Sequence, residues 1–175
     1  MAVASIYEER QRSRRVRAVY CEQSVCEIVD NDAISNDDLL CLDVDILIPA
    51  ALEGVITKEN AAAIRAPYIV EVANGPVMSS ADSVLEKNGT VVVPDVLANA
   101  GGVTVSYFES VQNLQGFKWT LEEVHSRLQA IMVTAFGEIW DLTTERKLSM
   151  RNAAFAIQRI GEAVEAHGTR DYFGN

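Results

Sequence analysis

The sequence predicts an α/β fold: a parallel sheet built from strand–helix–strand units, followed by two long helices. Three observations predict it. Short apolar runs at 44–48, 68–72 and 90–93 are separated by stretches of helix or turn composition, the alternation of parallel βαβ units. The last run passes through Pro94-Asp-Val-Leu-Ala-Asn-Ala-Gly-Gly-Val-Thr-Val-Ser-Tyr-Phe-Glu109, a corner of small residues that opens into an amphipathic pattern. From Thr120 onward, apolar residues recur at helical spacing, with faces that need burial.

The elements follow in order. Residues 1–20 are polar and basic, and residues 19–32 mix apolar with acidic side chains and read as a turn-rich connection. Ser35 caps a short helix to Leu40, with Asp37 and Asp38 in its favourable first turn. Val44 to Ile48 is a mostly apolar run ended by Pro49; it fits a strand buried on both faces of a parallel sheet. Thr57 is expected to cap a helix that packs through Ala61, Ala62, Ile64 and Ala66 and closes at Pro67. Tyr68 to Val72 is the next strand, broken by Asn74-Gly75-Pro76. A helix begins at Ser79 or Ser80 and stops at Asn88-Gly89. Thr90 to Val93 is the third strand. Thr120-x-x-Glu123 is a capping box for a helix bearing Leu121, Val124, Leu128, Ile131, Ala135 and Leu142. Ser149 starts another, bearing Ala153, Ile157, Ile160 and Val164, with Gly168 as its expected end.

Composition excludes several classes. A chain of 175 residues with 49% hydrophobic and 23% charged residues supports one domain with a core. The net charge of −10 opposes nucleic-acid binding; the basic cluster Arg10, Arg12, Arg14, Arg15 and Arg17 reads as a solvated terminus. No apolar run reaches the ~20 residues of a membrane span, and no apolar signal core opens the chain. Cys21, Cys26 and Cys41 have no metal spacing and read as reduced thiols. His125 and His167 lie far apart in the sequence with no metal spacing connecting them and read as exposed or satisfied, so no metal site is expected. Trp119 and Trp140 read as packing anchors. A cytoplasmic location is the expectation.

Ligands of open α/β sheets bind at the carboxyl ends of strands, and that is where the small and amide residues gather. Asn99 carries both donors and an acceptor, and would also suit a helix cap. Ala100, Gly101 and Gly102 permit close approach of a ligand or close helix–strand packing. Asn74-Gly75 suits a turn of positive φ. Ala50 and Ala51 suit tight packing. Ser106, seven residues after Asn99, lies about two helical turns along the same side and is otherwise a surface hydroxyl.

Four segments in register carry a resemblance: the corner at 94–109, Asp43-Val-Asp-Ile-Leu-Ile-Pro-Ala-Ala-Leu-Glu53, Glu71-Val-Ala-Asn-Gly-Pro76 and Ser35-Asn-Asp-Asp-Leu-Leu40. Over residues 20–168 the chain resembles the second half of the nucleotide-binding domain of glutamate dehydrogenases, in the glutamate/leucine/phenylalanine/valine dehydrogenase family. The resemblance implies an incomplete Rossmann-like sheet with returning tail helices, and NAD or NADP as cofactor. It implies cofactor contacts at Asn99, Asn74, Gly75, Ala50, Ala100 and Gly101, and a contact of Ser106 with the substrate's side-chain carboxylate. The implied organisation is 1–20 unmatched, 21–118 partial nucleotide domain, 119–168 helical segment and 169–175 tail. Two positions depart from the family: Ser110 stands where Trp is usual, and Val72 replaces a small residue and would crowd the cofactor.

The dinucleotide fingerprint G-x-G-x-x-G occurs nowhere in the sequence. The family's catalytic Lys and Asp lie in a substrate domain that this chain does not resemble; Lys58, Lys87, Lys118 and Lys147 have no Gly-rich setting. The expectation is therefore a carboxyl-terminal fragment, as if an open reading frame began inside a longer gene, inactive alone and with no catalytic residue of its own. Within a complete assembly its partners would be L-glutamate or 2-oxoglutarate and other subunits in a homo- or hetero-oligomer, with neither nucleic acid nor membrane. The alternative is a non-catalytic binding or oligomerisation module that associates with full-length subunits through an open sheet edge. The choice of NAD over NADP is not encoded in the segments present.

Overall fold

The computed structural model describes residues 19–22, 25–28 and 34–159. The basic cluster at 10–17, His167 and the expected helix end at Gly168 lie outside these residues. The chain divides into two units, Met1–Leu39 and Leu40–Asn175.

In the first unit, β1 (Val19–Glu22) and β2 (Val25–Ile28) pair antiparallel in the register Val19↔Ile28 to Glu22↔Val25. This replaces the turn-rich connection expected there: Val19, Tyr20, Val25 and Ile28 are strand formers. Helix α1 (Asn36–Leu40) follows. Ser35 caps it as expected, its Oγ accepting from the Asp38 N–H at 3.1 Å and donating to Asp38 Oδ2 at 2.6 Å.

The second unit is α/β, with a parallel three-stranded sheet of order β3 (Ile46–Leu47), β4 (Tyr68–Val70), β5 (Val91–Val93). The strands are in sequential order and parallel, as βαβ units require. Register sorts the side chains. Leu47, Ile69 and Val92 share one row and pack with the core of Ile56, Ala61, Ile64, Ala66, Val77, Ala81 and Leu85. The neighbouring row, Ile46, Tyr68 and Val91, belongs to the opposite face. Only Val91 of that row is covered, by the cluster of Leu97, Ile139, Met150 and Ala153; Ile46 is 54% and Tyr68 50% exposed. β3 was expected to be buried on both faces. It is instead an edge strand of this sheet, bare on one face.

Between β3 and β4 the expected α-helix is absent. A 3-10 turn, Ala61–Ala63, stands in its place. Asn60 diverts the backbone: its Oδ1 accepts from the Thr57 N–H at 2.8 Å and its Nδ2 donates to Val55 O at 2.9 Å, the competition that short polar side chains offer to a helix. The residues before it form a ladder with the chain after β4, through Gly54 N–H to Gly75 O and Ile56 N–H to Pro76 O, each 2.9 Å.

Helix α2 (Ser79–Lys87) begins at Ser79 and ends before Gly89, whose φ of 78° terminates it. After β5 come α3 (Asp95–Ala98), α4 (Ala100–Gln115) and α5 (Leu121–Arg146), then helix α6 over residues 150–159, the last of those described. The capping box at Thr120 forms in full, and Ser149 Oγ accepts from the Asn152 N–H at 3.3 Å as a cap to α6. Trp119 packs on Phe108, ring centroids 5.6 Å apart, with the Arg127 guanidinium over its face. Trp140 is not the interior anchor expected: it stacks on Phe136 on an outward face of α5. The tail helices bury only part of their apolar surface, since Leu121, Ile131, Val133 and Phe136 are exposed and Ile139 is buried. No helix among the described residues is long and apolar enough to cross a membrane.

Candidate functional site

The carboxyl ends of all three parallel strands meet in one corner. Pro49 follows β3, Glu71–Asn74 follows β4, and Pro94–Asn99 follows β5. Pro49 O accepts from the N–H groups of Val72 (3.2 Å) and Ala73 (2.9 Å), which pins the loop carrying Ala50 to the end of β4.

Asn99 sits between α3 and α4 with αR dihedrals, and its side chain makes no cap bond. Its Nδ2 instead reaches across 25 residues of sequence, donating to Asn74 Oδ1 at 2.7 Å and to Val72 O at 3.4 Å. The backbone acceptor Val72 O assigns the NH2 end of Asn99 to that side, and Asn74 turns its oxygen to match. The structure therefore sets aside the capping reading of Asn99. Asn99 Oδ1 and Asn74 Nδ2 make no hydrogen bond among the described residues. The pair presents one acceptor and one donor group, the complement of a primary carboxamide.

Gly75 has φ of 54°, so the Asn74-Gly75 turn does require left-handed backbone. An added Cβ there would meet nothing within 4 Å, and the requirement is conformational alone. At Gly101 a Cβ would meet only Leu128 Cδ1, at 3.8 Å, so close packing does not demand glycine. Ala50 is exposed and Ala100 half-buried. Ser106 is exposed on α4, about 10 Å along the helix from Asn99 by the rise per residue, with its carbonyl accepting from Ser110 Oγ at 3.2 Å. Val72, the departure expected to crowd this corner, is itself partly exposed. His125 is exposed, and no cluster of metal-ligating side chains occurs among the described residues.

Beneath the corner lies a charge network that sequence reasoning missed. Glu71 is fully buried. Its Oε1 accepts from the Val77 N–H at 3.2 Å and from Arg151 Nη2 at 2.8 Å; its Oε2 accepts from the Asp95 N–H at 2.9 Å. Asp95 Oδ2 accepts from the Gly75 N–H at 2.8 Å. Arg151 also lies 3.3 Å by its Nε from Asp82, without hydrogen-bond alignment, and 3.9 Å from Asp95. Burial opposes the Arg151 charge, but the hydrogen bond and charge of Glu71, then Asp82 and Asp95, outweigh it and raise its pKa. Burial raises the Asp82 carboxyl, with Arg151 pulling the other way. Removing one partner of a buried ion pair costs about 3–5 kcal/mol. The available signal was Arg151 itself, a cation beside the buried apolar positions Met150 and Ala153.

Comparison with known proteins bears on this corner. The sequence pattern of the glutamate/leucine/phenylalanine/valine dehydrogenase family matches residues 2–168. That match extends into residues 1–20, which sequence reading had left without a counterpart. The chain is 49% identical over 173 residues to the NADP-specific glutamate dehydrogenase of Synechocystis, covering 98% of this chain and 40% of that protein. It is 54% identical over 137 residues to NAD-specific glutamate dehydrogenase A of Halobacterium salinarum, covering 77% of this chain and 32% of that one. Its fold matches the hetero-hexameric glutamate dehydrogenase of Thermus thermophilus in a leucine-bound form, with TM-score 0.71 and 26% identity over 95% of this chain and 38% of that chain. The chain thus spans well under half the length of each.

Proposed function

The chain belongs to the glutamate/leucine/phenylalanine/valine dehydrogenase family, and on that premise we propose that it forms the nicotinamide-side half of an NAD(P)-dependent glutamate dehydrogenase. The reaction is that of the relatives' names: L-glutamate, water and oxidised cofactor give 2-oxoglutarate, ammonia and reduced cofactor. The observation that carries the reading is the Asn74–Asn99 pair, held 2.7 Å apart at the carboxyl ends of two parallel strands. The donor set fits the group: Asn99 Oδ1 and Asn74 Nδ2 would offer an acceptor and a donor to a carboxamide, and Gly75, Ala50, Ala100 and Gly101 would lie beside it. The bound NAD or NADP supplies the hydride acceptor. Asn99 and Asn74 fix which face of the ring is presented, and Ser106 offers a hydroxyl to the substrate's distal carboxylate.

Among the described residues the corner offers no acid/base pair. Its described titratable groups at the corner, Glu71 and Asp95, are already occupied by N–H donors and Arg151. Proton traffic in oxidative deamination must come from the rest of the enzyme, and the isolated chain is inactive. The nucleotide-domain portion at 21–118, the helical segment at 119–168, assembly with other subunits and a cytoplasmic location belong to the same proposal.

Glutamate-dependent reduction of NAD and NADP, measured for the chain alone and for the chain mixed with a full-length subunit of a relative, tests it. The chain alone is expected to be silent and the mixed assembly active. Asn99→Ala in the mixture should lower coenzyme affinity by about threefold to tenfold, the cost of a neutral hydrogen bond. The uncovered row of Ile46 and Tyr68 beside an edge strand favours a second reading, the non-catalytic associating module. Assembly without any effect of Asn99→Ala selects that reading and overturns the first.

A further inference from the structure

We propose that Arg151 is a positioning residue for the asparagine pair, acting through Glu71 and Asp95 from outside the corner. This rests on the coenzyme reading for its purpose, though not for its geometry. Both ends of the Asn74–Asn99 hydrogen bond run back to Asp95, whose N–H the buried Glu71 carboxylate accepts. On one side, Glu71 Oε2 accepts from the N–H of Asp95, the first residue of α3, and Asn99 closes that short helix by donating its own N–H to Asp95 O at 3.0 Å. On the other, Asp95 Oδ2 accepts from the Gly75 N–H, which fixes the peptide joining Asn74 to Gly75. A rotation of the Glu71 carboxylate would move both.

Glu71 is fully buried, so water is not at hand to replace its partners. Arg151 supplies the charge that holds it, from a helix 80 residues further along the chain. The planar guanidinium faces Glu71, Asp82 and Asp95 through three different nitrogens, Nη2, Nε and Nη1. Burial opposes the Arg151 charge, and the hydrogen bond and charge of Glu71, with Asp82 and Asp95, outweigh it.

A merely structural role, fastening α6 to the sheet, predicts something different: loss of stability with no special effect at the corner. Two local readouts separate them, both made by mass spectrometry on the dilute full chain. One is amide exchange in the segment containing Gly75. The other is deamidation of Asn74, in which the Gly75 nitrogen attacks the Asn74 side-chain carbon, the N–H proton is lost and ammonia leaves. Asp95 holds that N–H and Asn99 holds that amide, so the reaction reports directly on the bracket.

Arg151→Gln should speed both by about tenfold, the weight of a charge-assisted hydrogen bond, beyond their change in Ile64→Ala, a core truncation remote from the network with a comparable fall in melting temperature. Arg151→Lys should restore part of the protection. If Arg151→Gln does not fold, Arg151→Lys against Ile64→Ala makes the same comparison. Rates at Gly75 and Asn74 that match the Ile64→Ala control overturn the proposal. Reduced nicotinamide mononucleotide added to the wild-type chain should slow both rates. No slowing overturns the coenzyme reading, and the ligand-free Arg151 comparison decides the bracket separately.

Discussion

Glu123 and Asn99 illustrate how far single residues announce their roles. Glu123 declared itself through the Thr120-x-x-Glu123 spacing, and the structure forms both bonds of the box: the Thr120 N–H donates to Glu123 Oε2 at 2.7 Å and the Glu123 N–H donates to Thr120 Oγ1 at 3.2 Å. The Thr120 N–H and then its hydroxyl hold the Glu123 carboxyl below its ordinary value of 4.5. A carboxyl with a lowered folded pKa stabilises above its unfolded pKa and loses that contribution as pH falls through the folded one. The melting temperature should therefore fall as pH drops below 4.5, and Glu123→Gln should be less stable at neutral pH with a shallower acid loss. Equal slopes in the two proteins would contradict this. Asn99 was legible as a site residue because amide and glycines clustered after a strand. That its partner would be Asn74 was not, because the contact spans 25 residues and depends on β4 and β5 being adjacent.

At the scale of elements, helices with local signals were legible and those without were not. Ser35, Thr120 and Ser149 cap helices as their sequences indicated, since a cap is a contact within one turn. The segment 57–66 had a plausible cap and small apolar residues, yet Asn60 bonds the backbone and only Ala61–Ala63 turns. The outcome depended on the ladder of Gly54 and Ile56 to Gly75 and Pro76, a non-local pairing. Helix α5 ends at Lys147 with φ of 54°, the one non-glycine left-handed residue among those described. Side-chain sterics make that conformation costly by about 1 kcal/mol, and glycine removes the cost. Lys147→Gly should raise stability by about 0.5–1 kcal/mol in denaturant titration; a loss would show that Lys147 contributes through contacts of its side chain.

For the whole molecule, the decisive feature is the row Ile46, Tyr68 and Val91, covered at one end only. An apolar face beside an edge strand favours association. The full chain is expected to self-associate with rising concentration, followed by light scattering, and Ile46→Lys should reduce this with little change in melting temperature. A monomer at all concentrations would remove the role of that face. The sequence by itself determined the fold class, the caps at Ser35, Thr120 and Ser149 and the family, because each is written in local composition or in contiguous motifs. Tertiary structure alone decided the edge exposure of β3, the Asn74–Asn99 pairing and the Arg151–Glu71 bracket. Each of these depends on segments far apart in the chain coming together, and on which face of a strand a neighbour happens to cover, a matter of packing that local spacing does not carry.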